Sequence, residues 1–517
     1  MEMTGLQELA QSLIEWGAIL VALLLGLGVI SILVMFLIDK TQTRHAIRRN
    51  YPVVGRFRYL FEHMGEFFRQ YFFAMDREEL PFNRAERSWV YRAAKEVDNT
   101  VAFGSTRQLN IKGDVFFLNS AFPTLDEDAV QPRPVTIGGG SCSRPYTNSS
   151  ILNISAMSFG AISEPAVRAL ARGAKDAGIW MNTGEGGLSP YHLESGADLV
   201  FQIGTAKYGV RDGFGLLSDD RLLAVAAHEQ VRMFEIKMSQ GAKPGKGGIL
   251  PGDKVTEEVA RIRGIEPGVD SISPNGHPDI RCADDLLDMV ERIRQLTGKP
   301  VGFKMVVGQL DFFHDLFRAI HSRGPEFAPD FITIDSADGG TGAAPQPLID
   351  YMGMPLQESL PLVVDLLQEY GLRERIKVIA SGKLIAPARV AWALAMGADF
   401  CVSARGFMFA LGCVQSLQCN RNTCPTGITT HDEDLQRGLV PAEKSIRVAA
   451  YARQMAYGVG IIAHSCGVTE PRGMQRGHVR IIESTGASRS MAELHPLPAV
   501  KAEYAGVADA LSRSQTG

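Results

Sequence analysis

An excess of basic charge is the first thing this chain lacks. Its 53 Lys and Arg are outnumbered by 57 Asp and Glu, leaving a net charge of −4 over 517 residues. No overall positive field exists to hold a phosphate backbone, so nucleic acid is not an expected partner. Sulfur is scarce too: seven cysteines, an odd number, make no disulfide framework. No G-x-G-x-x-G opens a strand–helix unit, which argues against a Rossmann dinucleotide domain. Internal repeats and low-complexity tracts are also missing. Apolar residues are plentiful at 45%, enough for a large core.

Charge is wholly absent from one stretch, "WGAILVALLLGLGVISILVMFLI", residues 16–38. At about 1.5 Å per residue it can cross a bilayer core of about 30 Å. A signal peptide would need a basic start and a shorter apolar core. Here Glu2, Glu8 and Glu15 precede the run instead. Lys40, Arg44, Arg48 and Arg49 follow it against Asp39 alone, so the positive-inside rule expects everything beyond residue 39 in the cytoplasm. The expectation is a single-pass anchor in the cytoplasmic membrane, with residues 1–15 outside and Trp16 at the outer interface.

Residues 39–110 form a basic juxtamembrane segment and helical linker. Phe57, Tyr59, Leu60, Phe67 and Phe68 recur at roughly helical spacing, which predicts helices that pack on the body or lie near the membrane. Packing is favoured, because acids interrupt any basic face. "GGGSCSRPYTNSS" at 138–150 is rich in turn formers. From 151 onward, eight short apolar runs end in glycine or polar clusters: 151–159, 179–187, 199–205, 231–243, 300–306, 331–340, 377–384 and 400–407. Helical patterns, such as 164–178, 283–298, 311–324 and 387–398, lie between them. Such alternation implies parallel strands with crossover helices, and eight units predict a closed (β/α)8 TIM barrel within residues 111–485. An open doubly wound sheet is the rival. The tail, 486–517, is expected to be partly ordered at best.

Barrel active sites form at the C-terminal ends of the strands. There this chain carries Met157, Ser158, Glu185, Gln202, Lys237, Gln240, Lys304, Asp335, Gly382 and Arg405. Buried parallel strands are normally apolar, so Lys237 and Lys304 need a reason, and an anionic ligand supplies one. Glycine-rich segments after the sixth, seventh and eighth strands, "DGGTGAAP" (338–345, with Gly340 and Gly342), "ASGKL" and "ARGF", suit a phosphorylated cofactor such as FMN. Lys304 could stabilise the anion of a reduced flavin, or it could simply pair with Asp335.

Beyond the eighth run comes Cys413-x5-Cys419-x4-Cys424-Pro425. Three crowded thiols before a proline resemble iron–sulfur ligation, and three ligands suit a [3Fe–4S] cluster. Zinc is a weaker reading that would need His431 as a fourth ligand. Cys142, Cys282, Cys401 and Cys466 are scattered and read as ordinary thiols. A flavin beside a cluster would join two-electron organic chemistry to one-electron transfer.

"NTGEGG" (182–187), "EIKMSQGAKPGKGGILPG" (235–252), "DGGTGAAP" and the cysteine motif resemble the FMN-binding synthase domain of glutamate synthases over roughly residues 100–480. The resemblance is closest to the shorter family members, some of which carry an N-terminal hydrophobic segment. It implies a barrel holding FMN and a [3Fe–4S] cluster, with electrons passing to 2-iminoglutarate made from 2-oxoglutarate and ammonia. Carried onto this chain, it makes Lys237, Glu185 and Gln240 catalytic and places Lys243 and Arg263 on the substrate. FMN contacts would come from Met157, Ser158, Gln202, Lys304, Asp335, Gly340, Gly342, Gly382 and Arg405, and Cys413, Cys419 and Cys424 would hold the cluster.

Departures from the family pattern alter the expectation. The residues before the barrel are too few for an amidotransferase domain, and Glu2 rather than cysteine follows Met1. Ammonia is therefore expected free or from a separate glutaminase subunit, and electrons from an external donor, a ferredoxin or reductase subunit. Ile249 stands where the family usually has Gln, and Leu188 where an acid lies near. Another amine or keto acid, as in an N-methylglutamate synthase-like enzyme, is the alternative. A non-catalytic membrane-tethered subunit is a third reading.

Overall fold

The structure is a computed structural model that describes residues 2–484 and 486–516. It divides into two units, one ending at Ala85 and one beginning at Glu86.

In the first unit, α1 (Glu2–Thr41) runs unbroken well beyond residues 16–38, and its Gln7–Thr41 portion is long and apolar enough to cross a membrane. A short helix, α2 (Ala46–Asn50), leads to α3 (Val54–Phe68) and a π-helical turn at Arg69–Phe73. Within this unit Phe57 and Phe61 of α3 are exposed, as are Phe72 and Phe73. Trp89 and Tyr91, in a helix that ends at Ala94, meet Tyr451 and Phe409 edge-on.

The second unit is the predicted barrel. Its strands are β1 (Leu152–Ile154), β2 (Met181–Asn182), β3 (Leu199–Ile203), β4 (Val231–Lys237), β5 (Val301–Val306), β6 (Phe331–Asp335), β7 (Lys377–Ser381) and β8 (Phe400–Ser403). All pair in parallel in chain order, and β8 returns to β1 through Cys401 opposite Leu152, which closes the sheet and excludes the open alternative. Each strand lies inside one of the eight apolar runs. Helix signals act as the sequence suggests. Ser163 caps α4 (Glu164–Ala177) by accepting the Ala166 N–H, and Gly178 ends it in the left-handed region at φ 66°.

The turn-rich 138–150 stretch is the loop of a hairpin, Val135–Ile137 with Tyr146–Asn148. Ile137 and Tyr146 join Trp180, Phe331 and Phe400 in one apolar cluster. Those three residues stand at the starts of β2, β6 and β8, so the hairpin plugs the N-terminal pole and leaves the other pole for chemistry. After β8 come α5 (Arg405–Leu411) and a long helix, α6 (Pro441–Ser465), that packs along α4 where Gly173 lies against Val448. The tail is ordered more fully than expected. Tyr504 stacks on His321 at 4.0 Å and on Tyr370 at 5.0 Å, and Lys501 binds Glu369 through both backbone and side chain.

Candidate functional site

The site begins with strand register. Lys237, the last residue of β4, sits opposite Lys304 of β5, which sits opposite Thr333 of β6. In-register residues of a parallel sheet point to the same side, so two buried cations stand next to each other. Each has its own counter-ion. Lys237 Nζ lies 2.6 Å from Glu185 Oε1, and Lys304 Nζ lies 3.4 Å from Asp335 Oδ2. Pairing with Asp335 was the plainer of the two readings of Lys304, and the geometry realises it.

Below this pair is a carboxylate that sequence reasoning missed. Glu235 accepts hydrogen bonds from Asn182 (2.8 Å), Gln202 (2.7 Å) and Thr333 (2.6 Å). Gln202 thus faces inward onto Glu235. A signal existed: a carboxylate inside a buried parallel strand, two residues before Lys237, is as anomalous as the lysine. Burial disfavours the charge of Lys304, but Asp335 and Glu235 outweigh it and hold the ammonium above its ordinary value. Glu185 shows the same contest. Burial pushes its carboxyl up, yet Lys237, Lys243 and Arg263 together hold it below the ordinary range.

Asp335 organises the floor of the mouth. Its Oδ1 accepts from Ser381 Oγ at 2.7 Å and its Oδ2 from the Gly241 N–H at 3.0 Å. Gly241 can approach because it lacks a side chain: a Cβ there would lie 1.6 Å from the Ser336 carbonyl oxygen. Gly382, at φ 134°, presses its backbone against Ser336 in the same way, where a Cβ would come within 2.2 Å.

The 338–345 loop is tied from three directions. Gln240 Nε2 donates to Thr341 Oγ1 (3.0 Å), Lys243 Nζ to the Ala343 carbonyl (2.8 Å) and Arg405 to the Thr341 carbonyl (2.8 Å). Gly340 lies against the Arg405 guanidinium, whereas Gly342 borders open space. Lys243 is pushed down to about 8, first by burial and then by the like charge of Lys237, with Glu185 opposing. Met157 is buried, and the Met157–Ser158 backbone lies against Gly184 in the loop that carries Glu185.

Arg263 is buried, donating to Ser271 Oγ (3.2 Å) and the Phe159 carbonyl (3.1 Å), with its guanidinium 5.2 Å from the Tyr208 ring centroid. Its Nε finds no hydrogen-bond partner among the described residues. The neighbouring carbonyls lead to the cysteines. Gly160 O pairs with His431 Nε2 at 2.8 Å, and Ala161 O accepts from Lys254 Nζ at 2.7 Å. Lys254 also donates to the carbonyls of Cys419 (3.3 Å) and Thr429 (2.8 Å). The segment after β1 therefore links the Arg263 side of the mouth to the cysteine loop, and both occupy the same pole. Lys254 was missed because a single Lys in "GDKV" carries no sequence signal.

Cys413 follows the C-terminus of α5, and its carbonyl accepts from Tyr91 Oη at 2.6 Å. Among the described residues no group of three or more His, Cys, Asp or Glu side chains is arranged to hold a metal ion, while Cys419 and Cys424 both act electrostatically on Cys413. His431 is engaged by Gly160, which argues against its use for zinc. The thiols are nonetheless met by donors, and at Cys424 the surroundings favour sulfur that carries negative charge. Cys413 Sγ accepts the Gln415 N–H at 3.5 Å, and Cys424 Sγ meets Thr426 Oγ1 at 3.4 Å. Burial pushes Cys413 up to about 11. At Cys424 burial is outweighed by the Thr426 and Thr429 contacts, which hold its thiol below the ordinary value. Lys254, itself pushed down to about 8 by burial, is drawn back toward its charged form by Cys419 and Cys424.

A closed parallel barrel with a plugged base and a cation-lined mouth defines a (β/α)8 protein of the enzyme type. Residues 121–469 match the family model described as the conserved region in glutamate synthase, and the chain belongs to that family. It is 39% identical over 501 residues to the glutamate synthase large subunit-like protein YerD of Bacillus subtilis, covering 89% of this chain and 95% of that one. An archaeal-type glutamate synthase [NADPH] of Thermotoga maritima is 34% identical over 339 residues, 64% of this chain, and this chain spans 62% of its length. Among solved structures, the flavin-binding domain of baker's yeast flavocytochrome b2 aligns with a TM-score of 0.42 at 14% identity, over 78% of this chain and 80% of that one.

Proposed function

We propose that this chain is a glutamate synthase-like oxidoreductase that makes an amino acid by reductive amination of 2-oxoglutarate or a related keto acid. The observation that carries this reading is the Lys237–Glu185 pair set beside Lys243 and Arg263 in a barrel of the glutamate synthase family. Two buried cations, Lys243 and Arg263, match the two carboxylates of a keto diacid, and the Nε of Arg263 is a donor in want of an acceptor. Lys237, seated 2.6 Å from Glu185, can donate toward a keto or imino group. Gln240 supplies a neutral hydrogen bond at the rim.

FMN fits the opposite side of the mouth. Buried Lys304 would face the electron-rich edge of the ring, and Gly382, Arg405 and the 338–345 loop offer close backbone approach and a cation for phosphate. Bound there, FMN would supply hydride to the imine carbon. Cys413, Cys419 and Cys424 would hold a [3Fe–4S] cluster, with Lys254 and the sulfur-facing hydroxyls compensating its charge. That cluster would supply single electrons from an external ferredoxin or reductase subunit. Ammonia would arrive free or from a separate glutaminase, and α1 would hold the barrel at the cytoplasmic face of the membrane.

Anaerobically purified, reduced protein should convert 2-oxoglutarate and ammonium into glutamate. No glutamate from protein with intact flavin and iron overturns this reading. A second reading, another amine such as methylamine or another keto acid, is favoured by two apolar residues. Gly248 lies directly against the Glu185 carboxylate, Ile249 is the next residue along the chain, and Leu188 follows the same glutamate by three positions. A panel of amines and keto acids separates the two, because a strict preference for ammonium and 2-oxoglutarate removes the second.

A further inference from the structure

The first unit ends in a helix whose two faces differ sharply. On α3, Phe57, Leu60, Phe61, Met64 and Phe68 recur at i, i+3, i+4, i+7 and i+11, which gathers them on one side. Phe57, Leu60 and Phe61 are exposed at 52%, 49% and 63%. Tyr59 points the other way, and that side is where the preceding segment packs: Arg48 lies 4.7 Å over its ring and His45 meets it edge-on at 5.4 Å. Among the described residues of this unit the phenylalanine face has no such cover, and the π-helical turn continues it with Phe72 and Phe73, 75% and 74% exposed.

Three further observations say what covers that face. The start of α3 is clamped to the end of the apolar helix α1. Asp39 accepts from Arg56 Nε at 2.8 Å and Nη2 at 2.9 Å, and from the Val53 N–H at 3.0 Å. Asp39 is 1% exposed, so the joint is a fixed corner rather than a free linker. Around that corner, residues 40–58 contain Lys40, Arg44, Arg48, Arg49, Arg56 and Arg58 and no acid. A continuous apolar surface that begins where a candidate span ends, flanked by cations of one sign, has the chemistry of an anionic bilayer surface.

We infer that α3 and its π-helical turn lie in the cytoplasmic interface of the same bilayer, Phe57, Phe61 and Phe68 inserted among the acyl chains and the basic corner on anionic headgroups. The inference rests on the reading of α1 as a span and adds a second, in-plane attachment. One span alone leaves a domain free to swivel, whereas a clamped interfacial helix sets its approach to the membrane.

The test uses the full chain in bilayers of phosphatidylcholine and phosphatidylglycerol, with Phe61→Trp on the apolar face and His63→Trp on the other. Difference emission against the unsubstituted protein isolates the added indole. The expected result for Phe61→Trp is blue-shifted emission quenched about threefold more by lipids brominated near the headgroup than by aqueous iodide, with the order reversed for His63→Trp. Omitting phosphatidylglycerol should weaken the lipid quenching. Quenching of Phe61→Trp by iodide overturns the inference by placing the face in water. Blue-shifted emission that neither agent quenches overturns it by placing the face against protein. Alkaline carbonate extraction reads α1 separately: release of the chain would overturn the span and the inference with it, while retention together with iodide quenching overturns the inference alone.

Discussion

Lys237 and Lys304 are register partners on adjacent parallel strands, yet each is neutralised by a different carboxylate, Glu185 at 2.6 Å and Asp335 at 3.4 Å. The division has a functional logic. Asp335 is also bound by Ser381 and Gly241, so the Lys304 pair is built into the floor. Among the described residues Glu185 accepts a hydrogen bond from Lys237 alone, so that pair is the one a substrate can rearrange.

The two lysines should therefore fail differently. Lys237→Met is expected to lower turnover about 100-fold or more, the usual scale for loss of a positioned proton donor, and to lower the thermal midpoint as well, because it leaves buried Glu185 without its ion-pair partner. Lys304→Met strands a buried carboxylate and should cost about 3–5 kcal/mol of stability, read as a lower midpoint and poorer flavin retention. Steady-state rates and flavin retention on both variants check this, and full turnover in Lys237→Met or undiminished flavin in Lys304→Met would refute the division.

Lys243 predicts a pH effect with a definite sign. Without substrate its folded value of about 8 lies below the ordinary lysine value, because burial disfavours the ammonium. Below about 8 it is charged and can bind a carboxylate; as pH rises through 8 that cation is lost, so KM for the keto acid should climb. Linkage runs the same way for folding. Between the folded and ordinary values the unfolded chain binds more protons, so the substrate-free protein should gain stability with rising pH across that window. KM against pH for the parent and Lys243→Arg is the measurement, and the arginine variant should flatten the rise.

Iron content should follow three thiols and no others. Cys413→Ser, Cys419→Ser and Cys424→Ser are each expected to abolish bound iron in anaerobic preparations, whereas Cys401→Ser and Cys466→Ser should leave it intact. Lys254→Met should lower iron occupancy by removing the cation that ties Ala161, Cys419 and Thr429. Iron and sulfide assays with EPR spectra decide it, and full iron in Cys424→Ser would sink the assignment.

Gly241→Ala tests the close approach at Asp335. With 1.6 Å between the new Cβ and the Ser336 oxygen, the loop after β4 must move, at a cost of about 1–3 kcal/mol or more. Lower thermal stability together with weaker flavin binding is expected, and an unchanged melting midpoint would contradict the geometry.

Much of this was readable from the chain. Buried parallel strands are apolar throughout, so eight such runs announced the barrel, and the polar residues that interrupt them marked the mouth. What escaped did so for identifiable reasons. The helix Pro441–Ser465 follows the last barrel strand, where no further strand–helix unit flags it. Glu235 hid within a strand whose lysine drew the eye, and Tyr504 lay in a tail whose composition hid its stacking on His321. The aromatics of α3 were legible as an apolar face, but periodicity marks such a face without saying what meets it.

Local chemistry along the chain was enough to determine the eight strands, the apolar first helix and the identity of the charged and sulfur-bearing side chains, because each depends on neighbours a few residues away. Which cation meets which carboxylate, how three consecutive carbonyls after β1 join Arg263 to the cysteine loop, and which helix face goes uncovered were decided by the closed barrel and the Asp39 corner. Those relations join residues up to 271 positions apart, and no periodicity can encode contacts that exist once the chain has folded back on itself.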